Sequence, residues 1–193
     1  ARLPQIACPT LVIHSRNVEQ ATVSAANLAD ETGGHTRVST FDVTDLAAVD
    51  RGIADIEDDW GTPDILVNNA GLQRRRTFVE FSLDDWNDLV ATNLTSAFLV
   101  SQRVAQGMVA RGSGKIINIG SVQSRLARPG IAPYSATKGG IVMLTKGLCA
   151  DLGPSGVQAN ALAPGYFDTE LTKALVEDEE ISAWARGRGS RDR

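Results

Sequence analysis

Three side chains with acid/base potential have a spacing that one helix and one strand end could bring together. Tyr134 and Lys138 are four residues apart, and Ser121 lies thirteen residues before the tyrosine. Residues i and i+4 share one face of an α-helix, so a helix beginning near Pro133 would point the tyrosine and the lysine into one pocket. A neighbouring ammonium group lowers the pKa of a tyrosine from about 10, which suits proton exchange with an alcohol or carbonyl oxygen.

The tyrosine–lysine pair on its own also has an ordinary structural explanation. A solvated lysine on a helix surface beside a half-buried tyrosine has the same spacing and involves no chemistry. The pair therefore indicates catalysis only if the rest of the chain places Ser121 at the same edge of the fold.

The composition is that of a globular protein and excludes several classes of function. The 193 residues fit one domain, with 42% hydrophobic and 22% charged residues and a net charge of −4. That acidic balance argues against nucleic-acid binding. No apolar run is long enough to cross a bilayer and no signal peptide is recognisable, so we expect a cytoplasmic protein that does not bind membranes. The two cysteines, Cys8 and Cys149, form no ligand cluster, and we expect no metal.

Short apolar runs alternate with longer amphipathic stretches along the chain. The runs predict strands at 10–14, 37–41, 64–68, 115–119 and 157–161. The stretches predict helices at 17–32, 46–60, 83–110 and 134–152. Strands that alternate with helices imply right-handed crossovers, so the pattern predicts an α/β fold with a doubly wound parallel sheet covered by helices on both faces.

Small and polar residues gather where the predicted strands end. Ligands of such sheets bind beyond the carboxyl ends of the strands, which makes these positions candidates for a site. A purely structural explanation, loop-starting turns, accounts for the glycines but not for Ser121 and the Tyr134 helix converging on one edge. The strand-end residues are Ser15-Arg16-Asn17, Asp42-Val43, Asn68-Asn69-Ala70-Gly71, Gly120-Ser121 and Ala163-Pro164-Gly165.

In order and interval, the motifs of the chain resemble those of the short-chain dehydrogenase/reductase family. The resemblance covers about residues 10 to 169 and implies a Rossmann-like fold and a nicotinamide-dependent oxidoreductase. The similar motifs are an N-N-A-G turn, an active-site asparagine, a Ser…Tyr-x-x-x-Lys set and a P-G…T segment, here Asn68-Asn69-Ala70-Gly71, Asn93, Ser121, Tyr134, Lys138, Pro164-Gly165 and Thr169.

The resemblance implies a role for each of these side chains. Tyr134 would be the general acid/base, and Lys138 would depress its pKa and hydrogen-bond the nicotinamide ribose. Ser121 would fix the reacting oxygen of the substrate, and Asn93 would hold a water that links Lys138 to solvent. The hydride would pass between a substrate carbon and the nicotinamide. The other contacts to the dinucleotide would come from Asp42, Val43, Asn69, Ala70, Gly71, Pro164, Gly165 and Thr169.

The turn after the first predicted strand indicates NADP rather than NAD. A carboxylate there would accept a hydrogen bond from the ribose 2′-hydroxyl of NAD. This chain has Ser15 and Arg16 instead, and an arginine would pair with the 2′-phosphate of NADP. A solvated surface arginine is the structural alternative.

Three stretches resemble the branch of the family that interconverts D-gluconate and 5-keto-D-gluconate, at 68–75, 121–124 and 163–175. An acyclic sugar acid needs hydrogen-bonding side chains and a cation for its carboxylate. A solvated loop is the alternative explanation for the arginines, and another keto-sugar acid or polyol is the alternative substrate. The candidate substrate contacts are Gln73, Arg74, Arg75, Ser121, Gln123 and Tyr166.

The sequence also departs from the family pattern. It contains no T-G-x-x-x-G-x-G turn, the segment whose glycines let the backbone approach a pyrophosphate. The first and last strands of the family are also absent. In the family order 3-2-1-4-5-6-7 the first strand lies mid-sheet, so its two neighbours, 11–13 and 65–67, would each face an unpaired row of backbone groups.

Two hypotheses therefore follow for a single domain over 1–193 that is truncated at both ends and has a disordered tail at 186–193. The chain is either an NADP-dependent sugar-acid oxidoreductase or a catalytically silent fragment of one. From the resemblance, the complete enzyme would be a homo-oligomer, a tetramer or a dimer.

Overall fold

Strands and helices alternate along the chain, as the sequence predicts. The structure is a computed structural model that describes residues 10–14 and 18–165. Its strands are β1 (Thr10–His14), β2 (Thr36–Thr40), β3 (Ile65–Asn68), β4 (Gly114–Ile119) and β5 (Val157–Leu162). Its helices are α1 (Val18–Thr32), α2 (Leu46–Trp60), α3 (Leu83–Val90), α4 (Ser96–Arg111) and α5 (Ala132–Leu152). Each predicted strand and helix is present within a few residues of its predicted bounds.

The helical stretch predicted over 83–110 is present, but a π-helical turn at Ala91–Thr95 divides it into α3 and α4. The turn includes Asn93, and such turns occur often at functional sites. No proline or glycine lies between 83 and 95 to signal the interruption. The predicted start of α3 is confirmed, since the Ser82 hydroxyl accepts a hydrogen bond from the Asp85 amide at 3.0 Å.

All strand pairs are parallel, but the strands form two sheets rather than one. β1 pairs with β2, and β4 lies between β3 and β5. Within the described ranges, β1 and β3 each have a hydrogen-bonded neighbour on one side only. The gap that the sequence predicts between residues 11–13 and 65–67 is therefore present, and the fold is a Rossmann-like α/β fold with an interrupted sheet.

The main core lies between helices α2 and α4 and the three-stranded sheet. Its fully buried side chains include Ile53 of α2, Val104 and Met108 of α4 and Ile116 of β4. On β3 the alternation of a strand leaves Leu66 in this core while Ile65 and Val67 are 54% and 51% exposed. One face of β3 is therefore buried and the other is open. No helix within the described residues is long and apolar enough to cross a membrane.

Two glycine turns touch at the end of the molecule opposite the strand carboxyl ends. Gly112 ends α4 with φ 77° and Gly156 precedes β5 with φ 78°, a left-handed conformation that favours glycine. A Cβ atom on Gly156 would collide with the Gly112 carbonyl oxygen. This close approach fixes the amino ends of β4 and β5, and with them the strand ends that carry the candidate site.

Candidate active site

The carboxyl ends of β3 and β4 bring the predicted catalytic residues to one edge of the sheet. A Cβ built on Gly71, just beyond β3, would lie 3.4 Å from Asn93 Oδ1 and 3.7 Å from Lys138 Nζ. Lys138 Nζ in turn donates a hydrogen bond to the main-chain oxygen of Ile119, the last residue of β4, at 2.7 Å. The π-helical turn, the β3 loop, the end of β4 and helix α5 therefore meet at one place.

Lys138 is a buried ammonium group in the second turn of α5. It is 5% exposed, and burial lowers its pKa from 10.5 to about 8 because a charge is costly to remove from water. With that pKa it is still mostly protonated at neutral pH. Its Nζ lies 5.9 Å from the centre of the Tyr134 ring, so the two side chains face the same space, as their i, i+4 spacing predicts.

Tyr134 is held in place by an apolar cluster. The residue is 9% exposed and packs with Leu89 of α3 and with Ile131, which are both fully buried. Leu72 and Phe81 complete the cluster. Helix α5 begins at Ala132, two residues before the predicted start, and carries a proline in its first turn, where the missing amide proton costs no helical hydrogen bond. The phenol ring is thus fixed on the first turn of a helix.

Ser121 begins a short 3₁₀ turn, Val122–Ser124, directly after β4. Its hydroxyl oxygen accepts a hydrogen bond from the Gln123 amide at 3.1 Å. A hydroxyl can donate as well as accept, and no acceptor for the Ser121 proton lies among the residues described here. The Gln123 amide therefore orients the Ser121 hydroxyl, whose proton can be donated to a further oxygen.

Asn93 ties the β3 loop to helix α5. Its Oδ1 accepts from the Leu72 amide at 2.8 Å, and its Nδ2 donates to the Leu72 carbonyl at 2.9 Å and to Thr137 Oγ1 at 3.2 Å. Thr137 Oγ1 donates to the Tyr134 carbonyl at 2.8 Å. Both protons of the Asn93 amide are used, so this 1% exposed side chain is a structural strap under Tyr134.

Two of the residues predicted to contact the cofactor follow β2. Asp42 Oδ1 accepts hydrogen bonds from the Thr44 amide at 2.8 Å and the Thr44 hydroxyl at 2.7 Å. Val43 is 7% exposed and its side chain is part of the main core. The Asp42 side chain therefore shapes the turn, and a ligand near Val43 would meet mainly its backbone.

The other predicted cofactor residues lie after β3 and after β5. After β3, Asn69 is exposed and Ala70 packs against the main core. After β5, the Pro164 carbonyl accepts a hydrogen bond from the Val122 amide at 3.1 Å, which places the residues around Pro164 beside the Ser121 turn. Gly165 is the last described residue and is exposed. Outside the described residues lie Ser15, Arg16, Tyr166 and Thr169.

The predicted substrate arginines lie in an exposed loop, which we call the arginine loop (residues 73–76). Arg74 pairs with Asp85 at 3.0 Å and with Asp88 at 2.8 Å, and Arg76 pairs with Asp85 at 3.0 Å. Within the loop, Arg75 donates to the Gln73 side chain at 3.4 Å. No sequence pattern indicates the role of the α3 aspartates, because their pairing depends on the tertiary fold.

The arginine loop is also connected to the segment before α5, where the Arg76 amide donates to the Gly130 carbonyl at 3.2 Å. Gly130 has φ 78°, a left-handed conformation that favours glycine.

Gln123, another predicted substrate contact, is 5% exposed in the Ser121 turn. Among the residues described, no group of three His, Cys, Asp or Glu side chains could hold a metal ion.

Comparison with known proteins gives consistent matches. A family model for short chain dehydrogenases matches residues 8–180. The gluconate 5-dehydrogenase of Gluconobacter oxydans (strain 621H) is 53% identical over 174 residues, 90% of this chain and 68% of the relative. The 5-keto-D-gluconate 5-reductase of Escherichia coli (strain K12) is 48% identical over the same shares of the two chains.

A solved structure is similar as well. The crystal structure of a gluconate 5-dehydrogenase from Burkholderia cenocepacia J2315, in complex with NADP and tartrate, superposes with a TM-score of 0.85 at 53% identity. The match covers 90% of this chain and 68% of that one.

Proposed function

The chain belongs to the short-chain dehydrogenase family and is thus an oxidoreductase that acts on CH–OH groups, and from this premise we propose that its site interconverts D-gluconate and 5-keto-D-gluconate with NADP. The observation that carries the proposal is the buried Lys138 ammonium facing Tyr134, at the strand edge where Ser121 begins its turn. The identity of about half with relatives named for this reaction supports the choice of substrate.

NADP fits the side of the site that would bind the nicotinamide. Lys138 has three donor protons, of which one goes to Ile119 among the described residues, so the ammonium can also hold a ribose hydroxyl. Pro164, Gly165 and Thr169 would contact the carboxamide end, and Asp42, Val43, Asn69, Ala70 and Gly71 the adenosine. When bound, the cofactor would donate or accept the hydride.

In this proposal Tyr134 is the general acid of ketone reduction. Its hydroxyl gives a proton to the oxygen that becomes the new alcohol, and in the oxidation direction the phenolate takes the proton back. Lys138 stabilises the phenolate left after the transfer, because an adjacent positive charge favours the anion. The apolar cluster restricts the position of the Tyr134 ring, and hence of the phenol oxygen, which lowers the entropic cost of reaching the transition state.

Ser121 holds the reacting oxygen of the substrate. Its own oxygen already accepts from the Gln123 amide, so its proton points away from that bond and is offered to the substrate. A donor aimed at an oxygen that gains negative charge is worth more in the transition state than in the ground state. Both side-chain amide protons of Asn93 are used within the protein. A water that connects Lys138 with solvent would therefore bind the main-chain carbonyl of Asn93 rather than its side chain.

The carboxylate of the sugar acid would bind beside the arginine loop. Gln73, Arg74, Arg75 and Gln123 supply donors at that end, and Tyr166 follows the Pro164-Gly165 segment. Arg74 is already shared between Asp85 and Asp88, so it would have to exchange one carboxylate for another. Exposed ion pairs are worth only about 0–1 kcal/mol, so such an exchange is inexpensive.

The preference for NADP rests on the residue types directly after β1. An arginine at position 16 would pair with the 2′-phosphate, and Ser15 would add a hydroxyl beside it. We expect Arg16→Asp to shift the NADPH/NADH ratio of kcat/KM towards NADH by about tenfold or more, because a carboxylate repels the phosphate. The measurement is kcat/KM with each coenzyme for both proteins, with Arg51→Asp on the exposed side of α2 as the control for charge alone. An unchanged ratio would contradict this assignment.

A catalytically silent fragment is the second candidate. Two observations favour it: β1 and β3 each have one open edge within the described part of the chain, and this sequence contains no glycine-rich turn. Reduction of 5-keto-D-gluconate by the purified 193-residue chain separates the two candidates. Turnover that is faster with NADPH than with NADH supports the oxidoreductase. A folded chain that turns over neither keto-sugar acids nor polyols supports the silent fragment.

A further inference from the structure

The hydroxyl of Ser124 connects the two segments that carry the proposed catalytic side chains. Its oxygen accepts a hydrogen bond from the Ser121 amide at 3.2 Å, and its proton goes to the Lys138 carbonyl at 2.9 Å. The Ser124 amide also donates to the Ser121 carbonyl at 2.9 Å. One side chain therefore bridges the turn that bears Ser121 and the helix that bears Lys138.

The Ser121 turn is held from its other side by the end of β5 and the residues directly after it. The Gly120 amide donates to the Leu162 carbonyl at 2.7 Å, and the Val122 amide donates to the Pro164 carbonyl at 3.1 Å. Those bonds fix the turn relative to the sheet but not relative to α5. Two hydrogen bonds join this segment to α5 through Lys138, whose Nζ donates to the Ile119 carbonyl just before the turn and whose own carbonyl accepts from Ser124 at its end.

We propose that Ser124 is a positioning residue that sets the distance between the Ser121 hydroxyl and the Tyr134–Lys138 face of α5. The proposal rests on the proposed function, in which both must reach one substrate oxygen. Without the bridge, the Ser121 amide loses its acceptor and only one of the two Lys138 hydrogen bonds remains, so the turn can shift relative to the helix. A displacement of about 1 Å in an active site can reduce a rate about a hundredfold.

The chemistry of the bridge explains the residue type. The position needs one group that accepts from an amide and donates to a carbonyl, which a hydroxyl does and a methyl or a carbonyl group does not. The glycine at 120 leaves room for the bridging hydroxyl, since a Cβ there would lie 3.3 Å from Ser124 Oγ. The sequence indicates Ser124 only as part of the stretch at 121–124, because its bond to Lys138 spans 14 residues.

The test compares Ser124→Ala, which removes the bridge, with Ser124→Thr, which keeps a hydroxyl. Ser135→Ala is the matched control, because Ser135 lies beside Tyr134 on α5 and its buried hydroxyl has no hydrogen-bond partner among the described residues. The measurements are kcat and KM for 5-keto-D-gluconate, KM for NADPH, and hydrogen exchange of the Ser121 amide. Thermal unfolding of each variant identifies any loss of folded protein.

We expect Ser124→Ala to lower kcat about ten- to a hundredfold and to change KM for NADPH less than about threefold. Ser124→Thr should recover kcat to within about threefold of the wild-type value, and the kcat of Ser135→Ala should equal the wild-type value. The Ser121 amide should exchange faster in Ser124→Ala alone. A wild-type kcat in Ser124→Ala, a loss that follows the unfolded fraction, or no recovery in Ser124→Thr would overturn the proposal.

The exchange measurement separates this inference from the proposed function. A wild-type chain that reduces no sugar acid would overturn the proposed function, and the exchange of the Ser121 amide would then decide alone whether Ser124 fixes the turn. An exchange rate that is the same in Ser124→Ala and the wild type would overturn the role of Ser124 whatever the activity.

Discussion

Lys138 and Asn93 are 5% and 1% exposed and hydrogen-bond to main-chain groups, whereas the Arg74 and Arg76 side chains are 41% and 57% exposed and pair with the carboxylates of α3. The two regions are connected, since Leu72, which Asn93 binds, immediately precedes the arginine loop. One region is held by buried bonds to backbone, and the other by ionic contacts in water.

The difference indicates which parts of the site can adapt to a ligand. Breaking a buried hydrogen bond leaves a group without a partner and costs about 1–3 kcal/mol, so the Ser121, Tyr134 and Lys138 geometry is set before a ligand arrives. An exposed ion pair contributes about 0–1 kcal/mol, so the arginine loop can exchange partners. We infer that the chemistry is located in the rigid region and the recognition of the carboxylate in the adaptable one.

Asn93→Ala should give the largest loss of stability, because it removes the strap in the rigid region. The Leu72 amide, the Leu72 carbonyl and the Thr137 hydroxyl would all lose a buried partner. We expect the free energy of unfolding to fall by about 4 kcal/mol. Urea unfolding measures it, and Asn87→Ala on the exposed face of α3 is the control. If the two variants lose the same small amount, the rigid region is not held by its buried hydrogen bonds.

Lys138→Met tests the cost of burying the ammonium through its pH dependence. A Lys138 pKa of about 8, against 10.5 unperturbed, means that the unfolded chain binds more protons between those values, so wild-type stability rises with pH across that window. Below about pH 8 both states carry the charge and the whole cost of burial is present. The shift corresponds to about 3 kcal/mol.

The expected result is a stability difference that depends on pH. Relative to the wild type, Lys138→Met should be most favoured below about pH 8 and should lose that advantage by about 10.5. Both chains also carry Tyr134→Phe in this comparison, because Lys138 would influence the ionisation of the phenol and so obscure its own contribution. Chemical unfolding at a series of pH values measures the difference, and Lys146→Met, an exposed position on the same helix, is the control. A difference that is constant with pH would mean that Lys138 is not desolvated.

Arg74→Gln should have the smallest effect on stability. It removes two exposed ion pairs, to Asp85 and Asp88, and we expect the free energy of unfolding to change by less than about 1 kcal/mol. Urea unfolding at low and high salt measures the effect and its screening. A loss as large as that of Asn93→Ala would remove the contrast between the two regions.

Much of the rigid region could be predicted from the sequence, because its signals are local and periodic. Strand and helix bounds follow from apolar spacing, and the convergence of Tyr134 and Lys138 follows from their i, i+4 positions on α5. The gap between β1 and β3 could be predicted as well, since it depends on which strands the sequence contains.

The remainder depends on contacts between distant parts of the chain. The π-helical turn at Ala91–Thr95 contains no proline or glycine that would predict it. The hydrogen bonds of Asn93 to Thr137 and of Ser124 to Lys138 form only once the helices are packed. The ion pairs of Arg74 likewise join the loop to α3. The cytoplasmic location and the homo-oligomer stay predictions, and the tail at 186–193 lies outside the described residues.

The role of Tyr134 as the general acid is tested most directly by the rate of 5-keto-D-gluconate reduction by the wild type and by Tyr134→Phe, with NADPH affinity measured on both. We expect turnover by the wild type and a loss of about a thousandfold or more in the variant, because a general acid contributes about 10²–10⁴-fold and phenylalanine has no proton to give. NADPH affinity should be nearly unchanged. A variant that keeps the wild-type rate would contradict the assignment of Tyr134 as the acid.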